Sequence, residues 1–315
     1  MLADVVQPRR VLLAAPRGFC AGVERAIASV EDALDRFGPP IYVRRQIVHN
    51  AQVVGDLERR GAVFVAETQE IPRGARLVLA AHGVAPQVYL EARERDLRVL
   101  DATCPLVTKT HRETRRFAAA GYTVVLIGDA AHDEVIGTRG QAPGHVIVVR
   151  HAADIDEITV PDEQRVAWVS QTTFIAADVA VIVERLRRRF PMLADPPSED
   201  VCYAVSHRQA AVRTIAARSD LVVIVGAKNS HNSSNMVPVA LSAGAGSAYL
   251  VESANDLLPG WLDGVMTVGL SSGASVPERL VREVLDWLAV RGFVEVEEVV
   301  SAVETQVFAK PRELT

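Results

Sequence analysis

The sequence predicts an α/β protein with mostly parallel sheets. Three observations carry this. Short, branched apolar runs recur along the chain, each closed by a polar or glycine-rich turn, and a helical pattern often follows. Such alternation is the mark of βα units. The runs are nearly continuous in apolar character, so both faces of each strand are expected to be covered. The unusual polar residues stand directly after the runs, where open parallel sheets bind their ligands.

The expected strands, in order, are 11–15, 41–43, 63–65, 77–80, 99–100, 124–127, 146–149, 166–169, 221–225 and 266–270. The expected helices are 21–36, 86–96, 106–119, 175–190, 207–218, 232–243 and 277–291. Three cysteines, Cys20, Cys104 and Cys202, are separated by intervals of small-domain length. The pattern suggests three α/β domains, 11–102, 103–199 and 200–290, with one cysteine each. Pro191, Pro196 and Pro197 mark the second boundary. The tail 291–315, with Phe293, Val294, Val296, Val307 and Phe308, is expected to pack back as an edge strand and clasp. No tight repeat or low-complexity segment is visible.

A chain of 315 residues can bury two or three real cores. The net charge of −5 argues against a nucleic-acid footprint. The basic run Arg185 to Arg189 reads as a solvated helix face. The first apolar run is too short for a secretion signal and is closed by Pro16 and Arg17. No stretch approaches the roughly 18 residues of a membrane span. A cytoplasmic location is expected, where disulfides are disfavoured.

Composition alone would make the three thiols ordinary core residues. Their neighbours change the balance. Cys104 precedes Pro105, a favoured first residue of a helix, so a thiolate there would meet the positive end of the helix dipole. Cys20 stands between Gly18 and Gly22, which let backbone approach a bulky group closely. Thiolates select zinc or iron–sulfur clusters, and three leave one corner open. Zinc usually shows short-spaced ligand pairs, absent here, yet clusters often have short spacings too. A zinc hydrolase with an open site therefore stands beside the cluster reading.

His49, His82 and His132 lie at turns and could share charge with an anion. His111, His145, His151 and His207 read as structural. Ser230, Asn232 and Ser275 stand near helix starts, where hydroxyls cap helices and can also join an anion site. Thr172 lies in the polar turn after another strand, in Ser170-Gln171-Thr172-Thr173. No P-loop or G-x-G-x-x-G is present. Glu134 is the one carboxylate among these turns that also neighbours a candidate histidine, and it could pass protons at a reducing centre.

Taken together these residues resemble the 4-hydroxy-3-methylbut-2-enyl diphosphate reductase family. The matching stretches are PRGFCAGVERAI at 16–27, IVHN at 47–50, AHGV at 81–84, DATCPLVTK at 101–109, HDEVIGTRGQ at 132–141, SQTT at 170–173, KNSHNSS at 228–234 and SSGASVP at 271–277. The resemblance runs from about residue 11 to the tail. It implies three α/β domains around a central 4Fe–4S cluster held by Cys20, Cys104 and Cys202. It implies that His49, His82, His132, Thr172, Ser230, Asn232 and Ser275 contact an allylic diphosphate and that Glu134 donates protons. The implied reaction is reductive removal of the allylic hydroxyl as water, giving isopentenyl and dimethylallyl diphosphate. No flavin or nicotinamide motif is evident, so ferredoxin or flavodoxin is implied as electron donor.

The chain departs from the family in three places. His231 stands where the family's NSSNS has a serine, Asn235 where it has an arginine, and His207 precedes Arg208-Gln209 where it reads NRQ. An imidazole can become cationic beside a diphosphate. Binding is thus expected to persist at position 231 and to strengthen as pH falls. His231 is also the best feature for a rival reading, a non-catalytic cluster-binding paralogue that senses redox state or binds another diphosphate.

Overall fold

The structure is a computed structural model and describes residues 9–198 and 200–314. From its start the chain forms β1 (Arg10–Ala15), α1 (Ala21–Phe37), β2 (Ile41–Arg44), α2 (Ala51–Arg59), β3 (Ala62–Val65), β4 (Arg76–Leu79), α3 (Pro86–Glu94) and β5 (Arg98–Asp101). It continues with α4 (Pro105–Ala119), β6 (Thr123–Ile127), α5 (Asp133–Arg139), β7 (Val146–Val149), β8 (Val166–Ser170) and α6 (Ala176–Arg189). The remainder is α7 (Tyr203–Ala216), β9 (Leu221–Val225), α8 (His231–Ser234), α9 (Met236–Ser242), β10 (Ser247–Val251), β11 (Thr267–Ser272), α10 (Glu278–Ala289) and β12 (Glu295–Val300). Every strand pairing among the described residues is parallel. The α/β class with mostly parallel sheets is therefore the observed one.

The residues sort into two compact units. One comprises the described residues up to Cys20, His49–Ala51 and Tyr203–Gln306. Its sheet has the order β10-β9-β11-β1-β12. Val11 and Leu13 of β1 pack with Leu280, Val281, Val284 and Leu288 of α10 on one face. Leu12 and Ala14 pack with Ala211 and Ile215 of α7 on the other. That two-sided burial is why β1 reads as an unbroken apolar run. β1 stands between β11 and β12, so this sheet takes a central strand from the N-terminal end of the chain. The tail supplies the edge strand β12, and Phe293 joins the core.

The other unit comprises Ala21–Val48, Gln52–Cys202 and the C-terminal segment from Val307. It carries two sheets, β3-β2-β4-β5 and β7-β6-β8. In the first, Leu77 and Leu79 of β4 pack against Val88 and Ala92 of α3. In the second, Val124 and Leu126 face Phe117 of α4. Val125 and Ile127 face Ile182, Val183 and Leu186 of α6. The basic run on α6 is a paired surface. Arg185 meets Asp156, Arg187 meets Asp195 and Arg188 meets Glu184, while Arg189 donates to the Ile155 and Ile158 carbonyls.

The structure differs from the expectation in five places. α2, α5 and β10 were not anticipated. α7 opens at Tyr203, directly behind Cys202, and not at 207. The helix expected over 232–243 is two short helices meeting at Asn235. Pro238 has no N–H for the Ser234 carbonyl, which favours a break or kink in the turn before it. Among the described residues no helix is long and apolar enough to cross a membrane.

Candidate functional site

The carboxyl ends of the parallel strands carry the chemistry-bearing residues in both units. In the first unit, Gly18 lies behind β1 at φ 69°, a conformation open to glycine at little cost. Its amide donates to Ser272 Oγ at 2.9 Å. The Cys20 amide donates to the Ala274 carbonyl at 3.3 Å. The Ala274 amide in turn donates to Asn232 Oδ1 at 3.0 Å. Ser275 Oγ donates to the His49 carbonyl at 3.1 Å, so it ties a loop and does not cap α10, whose N-cap is Pro277. Ser230 caps α8 by accepting from the Ser233 amide at 3.4 Å. His231 is the first residue of α8. Cys20, His49, Ser230, Asn232 and Ser275 thus form one connected array, with His231 beside it.

α8 is four residues long, and its Ser233 and Ser234 amides donate back to the Ser230 carbonyl.

The second unit links the other candidates into a continuous chain. Cys104 is the N-cap of α4, followed by Pro105, and its amide donates to the Ala81 carbonyl at 3.0 Å. His82, next in sequence, meets the His132 ring edge-on with centroids 5.8 Å apart. His132 caps α5, its Nδ1 accepting from the Glu134 amide at 3.2 Å. Glu134 Oε1 accepts from the Thr172 amide at 2.7 Å, and Oε2 from the Thr172 hydroxyl at 3.0 Å. The Thr172 carbonyl then accepts the Cys202 amide at 2.9 Å. Asp133, beside Glu134, pairs with Arg45, which also reaches Glu67, and this pins the start of α5.

Each cysteine amide is therefore held by a carbonyl that lies just beyond a strand: Ala274 after β11, Ala81 after β4 and Thr172 after β8. Each cysteine also directly precedes a helix, α1, α4 or α7. None of the three forms a disulfide, and all are partly exposed rather than buried in a core. Soft sulfur donors fixed by backbone at helix starts suit an iron–sulfur cluster, and the residues present fit that group.

Burial pushes the Glu134 carboxyl up to about 7, against the two Thr172 hydrogen bonds, with the Asp200 charge adding to the rise. Only 2% of Glu134 is exposed. Nearby, Lys109 Nζ bonds Asp200 Oδ1 at 3.0 Å and lies 3.8 Å from Glu113. Burial and the neighbouring Asp200 push Glu113 up to about 7 as well. Burial, helped by Arg115, pulls His111 down to about 4, so it is neutral at physiological pH, in keeping with a structural role.

Gly83 decides how closely the His82 turn can sit on α4. It has φ 72°, and a Cβ there would come within 2.7 Å of His111 Cε1, 3.0 Å of Val107 Cγ1 and 3.1 Å of Thr103 Cγ2. Gly83→Ala is expected to cost about 2–4 kcal/mol, combining a left-handed backbone with overpacking. Chemical denaturation reads this directly, and a change below about 0.5 kcal/mol, the range of neutral surface substitutions, would contradict it.

Sequence reasoning singled out the cysteines, the histidines, Glu134 and the Ser/Thr/Asn turns as candidates. It passed over Arg25, Lys109, Asp200 and Arg45, which grip the same loops. A signal existed for Asp200, which stands two residues before a cysteine. The cations read locally as helix surface.

The chain matches the family model described as LytB protein over residues 11–289. It is 58% identical to a 4-hydroxy-3-methylbut-2-enyl diphosphate reductase of Acidothermus cellulolyticus, over 99% of this chain and 92% of that one. It is 54% identical to the protein of the same name from Mycobacterium leprae, over 99% of this chain and 94% of that one. Among solved structures, the E-1-hydroxy-2-methyl-but-2-enyl-4-diphosphate reductase from Plasmodium falciparum superposes with a TM-score of 0.94 at 35% identity. That match covers 98% of this chain and 97% of the other. Matched along nearly its whole length in sequence and in fold, the chain belongs to the LytB protein family.

Proposed function

We propose that this chain is a 4-hydroxy-3-methylbut-2-enyl diphosphate reductase, the terminal enzyme of the non-mevalonate pathway. Two electrons and two protons convert the substrate to isopentenyl or dimethylallyl diphosphate plus water. The observation that carries the reading is Glu134: a buried carboxyl, protonatable near pH 7, wired through Thr172 to the Cys202 backbone.

Cys20, Cys104 and Cys202 are the residues that would hold a 4Fe–4S cluster, which supplies electrons and a Lewis-acidic iron when bound. The rest is the work of the chain. Protonated Glu134 can donate to the Thr172 hydroxyl across the 3.0 Å contact, and Thr172 can pass a proton onward as it receives one. His132 is fixed as a cap, its Nδ1 accepting from the Glu134 amide, so in the neutral ring Nε2 carries the proton. His49, His82, His132, Ser230, Asn232 and Ser275 are assigned to the substrate and its diphosphate, with His231 beside them. The electron donor is assigned as a ferredoxin or flavodoxin.

The test is direct. Anaerobic protein reduced with dithionite is mixed with substrate, and the visible absorption of the reduced centre is followed. Reoxidation with appearance of both isoprenoid diphosphates is the expected result. Iron-loaded protein that stays reduced in excess substrate would overturn the enzyme and favour the non-catalytic paralogue.

A further inference from the structure

Each cysteine loop is gripped by a cation, and each cation sits on the helix that follows a different cysteine. Arg25 lies five residues after Cys20, on α1. Its Nη1 donates to the Thr103 carbonyl at 3.0 Å and its Nη2 to the Asp101 carbonyl at 3.3 Å, immediately before Cys104. Lys109 lies five residues after Cys104, on α4. Its Nζ donates to the Ser198 carbonyl and to Asp200 Oδ1, both at 3.0 Å, immediately before Cys202. Arg208 lies six residues after Cys202, on α7. Its Nη2 donates to the Gly18 carbonyl at 2.7 Å and the Phe19 carbonyl at 3.3 Å, immediately before Cys20. Along the chain the order closes on itself: 20 holds 104, 104 holds 202, and 202 holds 20.

Arg208 shows that this is more than surface pairing. It is 1% exposed. A guanidinium that is buried must have its donors satisfied or it destabilises the fold by several kcal/mol. Here Nε and Nη2 serve Gly18, while Nη1 serves the Ala204 carbonyl and Glu304 Oε1, each at 2.9 Å. The receiving groups in all three clasps are mainly backbone carbonyls in the residues just before a thiol. Fixing those carbonyls fixes the peptide planes that aim the cysteine.

The geometry points to Arg25, Lys109 and Arg208 as positioning residues that set the three thiols in a cycle, each helix aiming the cysteine of another. This rests on the reading of those thiols as cluster ligands. Its consequence is specific: loss of one cation loosens a cysteine distant in sequence and spares the nearby one.

The test uses the full chain, anaerobic as purified and again after iron removal, with a brief iodoacetamide pulse and peptide-resolved mass spectrometry. Arg25→Met is expected to raise the alkylation rate of Cys104 about tenfold, the scale of one lost charge-assisted hydrogen bond, with Cys20 nearly unchanged. Lys109→Met should act in the same way on Cys202, and Arg208→Met on Cys20. Where a methionine variant fails to fold, Arg208→Lys, Arg25→Lys and Lys109→Arg keep the charge and alter the donor geometry, and the same selectivity is read. An equal rise at all three thiols, or a rise only at the cysteine nearest in sequence, would overturn the proposal. Iron content of the parent is measured in parallel. Selective loosening in a parent that binds no iron would sink the cluster reading and keep the clasps; iron binding with unselective alkylation would do the reverse.

Discussion

Cys20→Ser, Cys104→Ser and Cys202→Ser are each expected to yield a folded protein that retains little iron and no turnover. An alkoxide is a harder and poorer ligand for iron than a thiolate, so one substitution leaves two good ligands where three are needed. The fold should survive because the cysteine side chains contribute little to the cores. What holds each of these positions is backbone: the amides of Cys20, Cys104 and Cys202 reach the Ala274, Ala81 and Thr172 carbonyls, and serine keeps all three bonds. Iron and sulfide assays with circular dichroism decide the matter. Unchanged iron content and visible absorption in all three variants would refute the ligand assignment.

Glu134→Gln is expected to lower turnover by at least about 100-fold, the usual scale for general acid–base catalysis, with the cluster spectrum preserved. Glutamine keeps the shape and can still accept from the Thr172 amide, but it cannot supply a proton. In the parent, turnover should decline as pH rises through about 7, where the carboxyl empties. Stability moves with it. The folded-state value lies above the reference of 4.5, so the folded protein binds the proton more tightly than the unfolded chain. That contribution is complete below pH 4.5 and is lost as pH rises through about 7. The variant should therefore withstand heat better than the parent at pH 8, and the difference should close near pH 5. Near-normal turnover under saturating reductant would reject the role, and parallel stability curves would reject the buried, proton-binding carboxyl.

The strands were legible because burial on both faces leaves a continuous apolar signature, as in Val11–Leu13 and Leu221–Val225. β10 escaped because most of its residues are only partly buried, so its pattern is mixed. α5 escaped because seven residues with Gly137 inside make a weak helix by propensity. That glycine is there for packing: a Cβ would sit 3.2 Å from the Gly83 carbonyl. The start of α7 escaped because Tyr203, Ala204 and Val205 carry no capping residue ahead of them. The candidate site was legible where an unusual residue type stands in a turn, as with Cys20, Cys104 and Glu134. Arg25, Lys109 and Arg208 were not, because a cation on a helix looks the same whether it meets water or a carbonyl.

The place of β1 bears on how the protein is made. A ribosome releases β1 first and β12 last, yet β1 is paired with both β11 and β12. Its hydrogen-bonding edges stay open through almost the whole of translation, and pairing across so long a sequence interval is slow. The residues from Ala21 to Cys202, by contrast, draw their two sheets from strands that emerge one after another. The first cysteine synthesised thus belongs to the last sheet completed. A chain cut short before residue 295 would leave the Cys20 strand without one of its two partners.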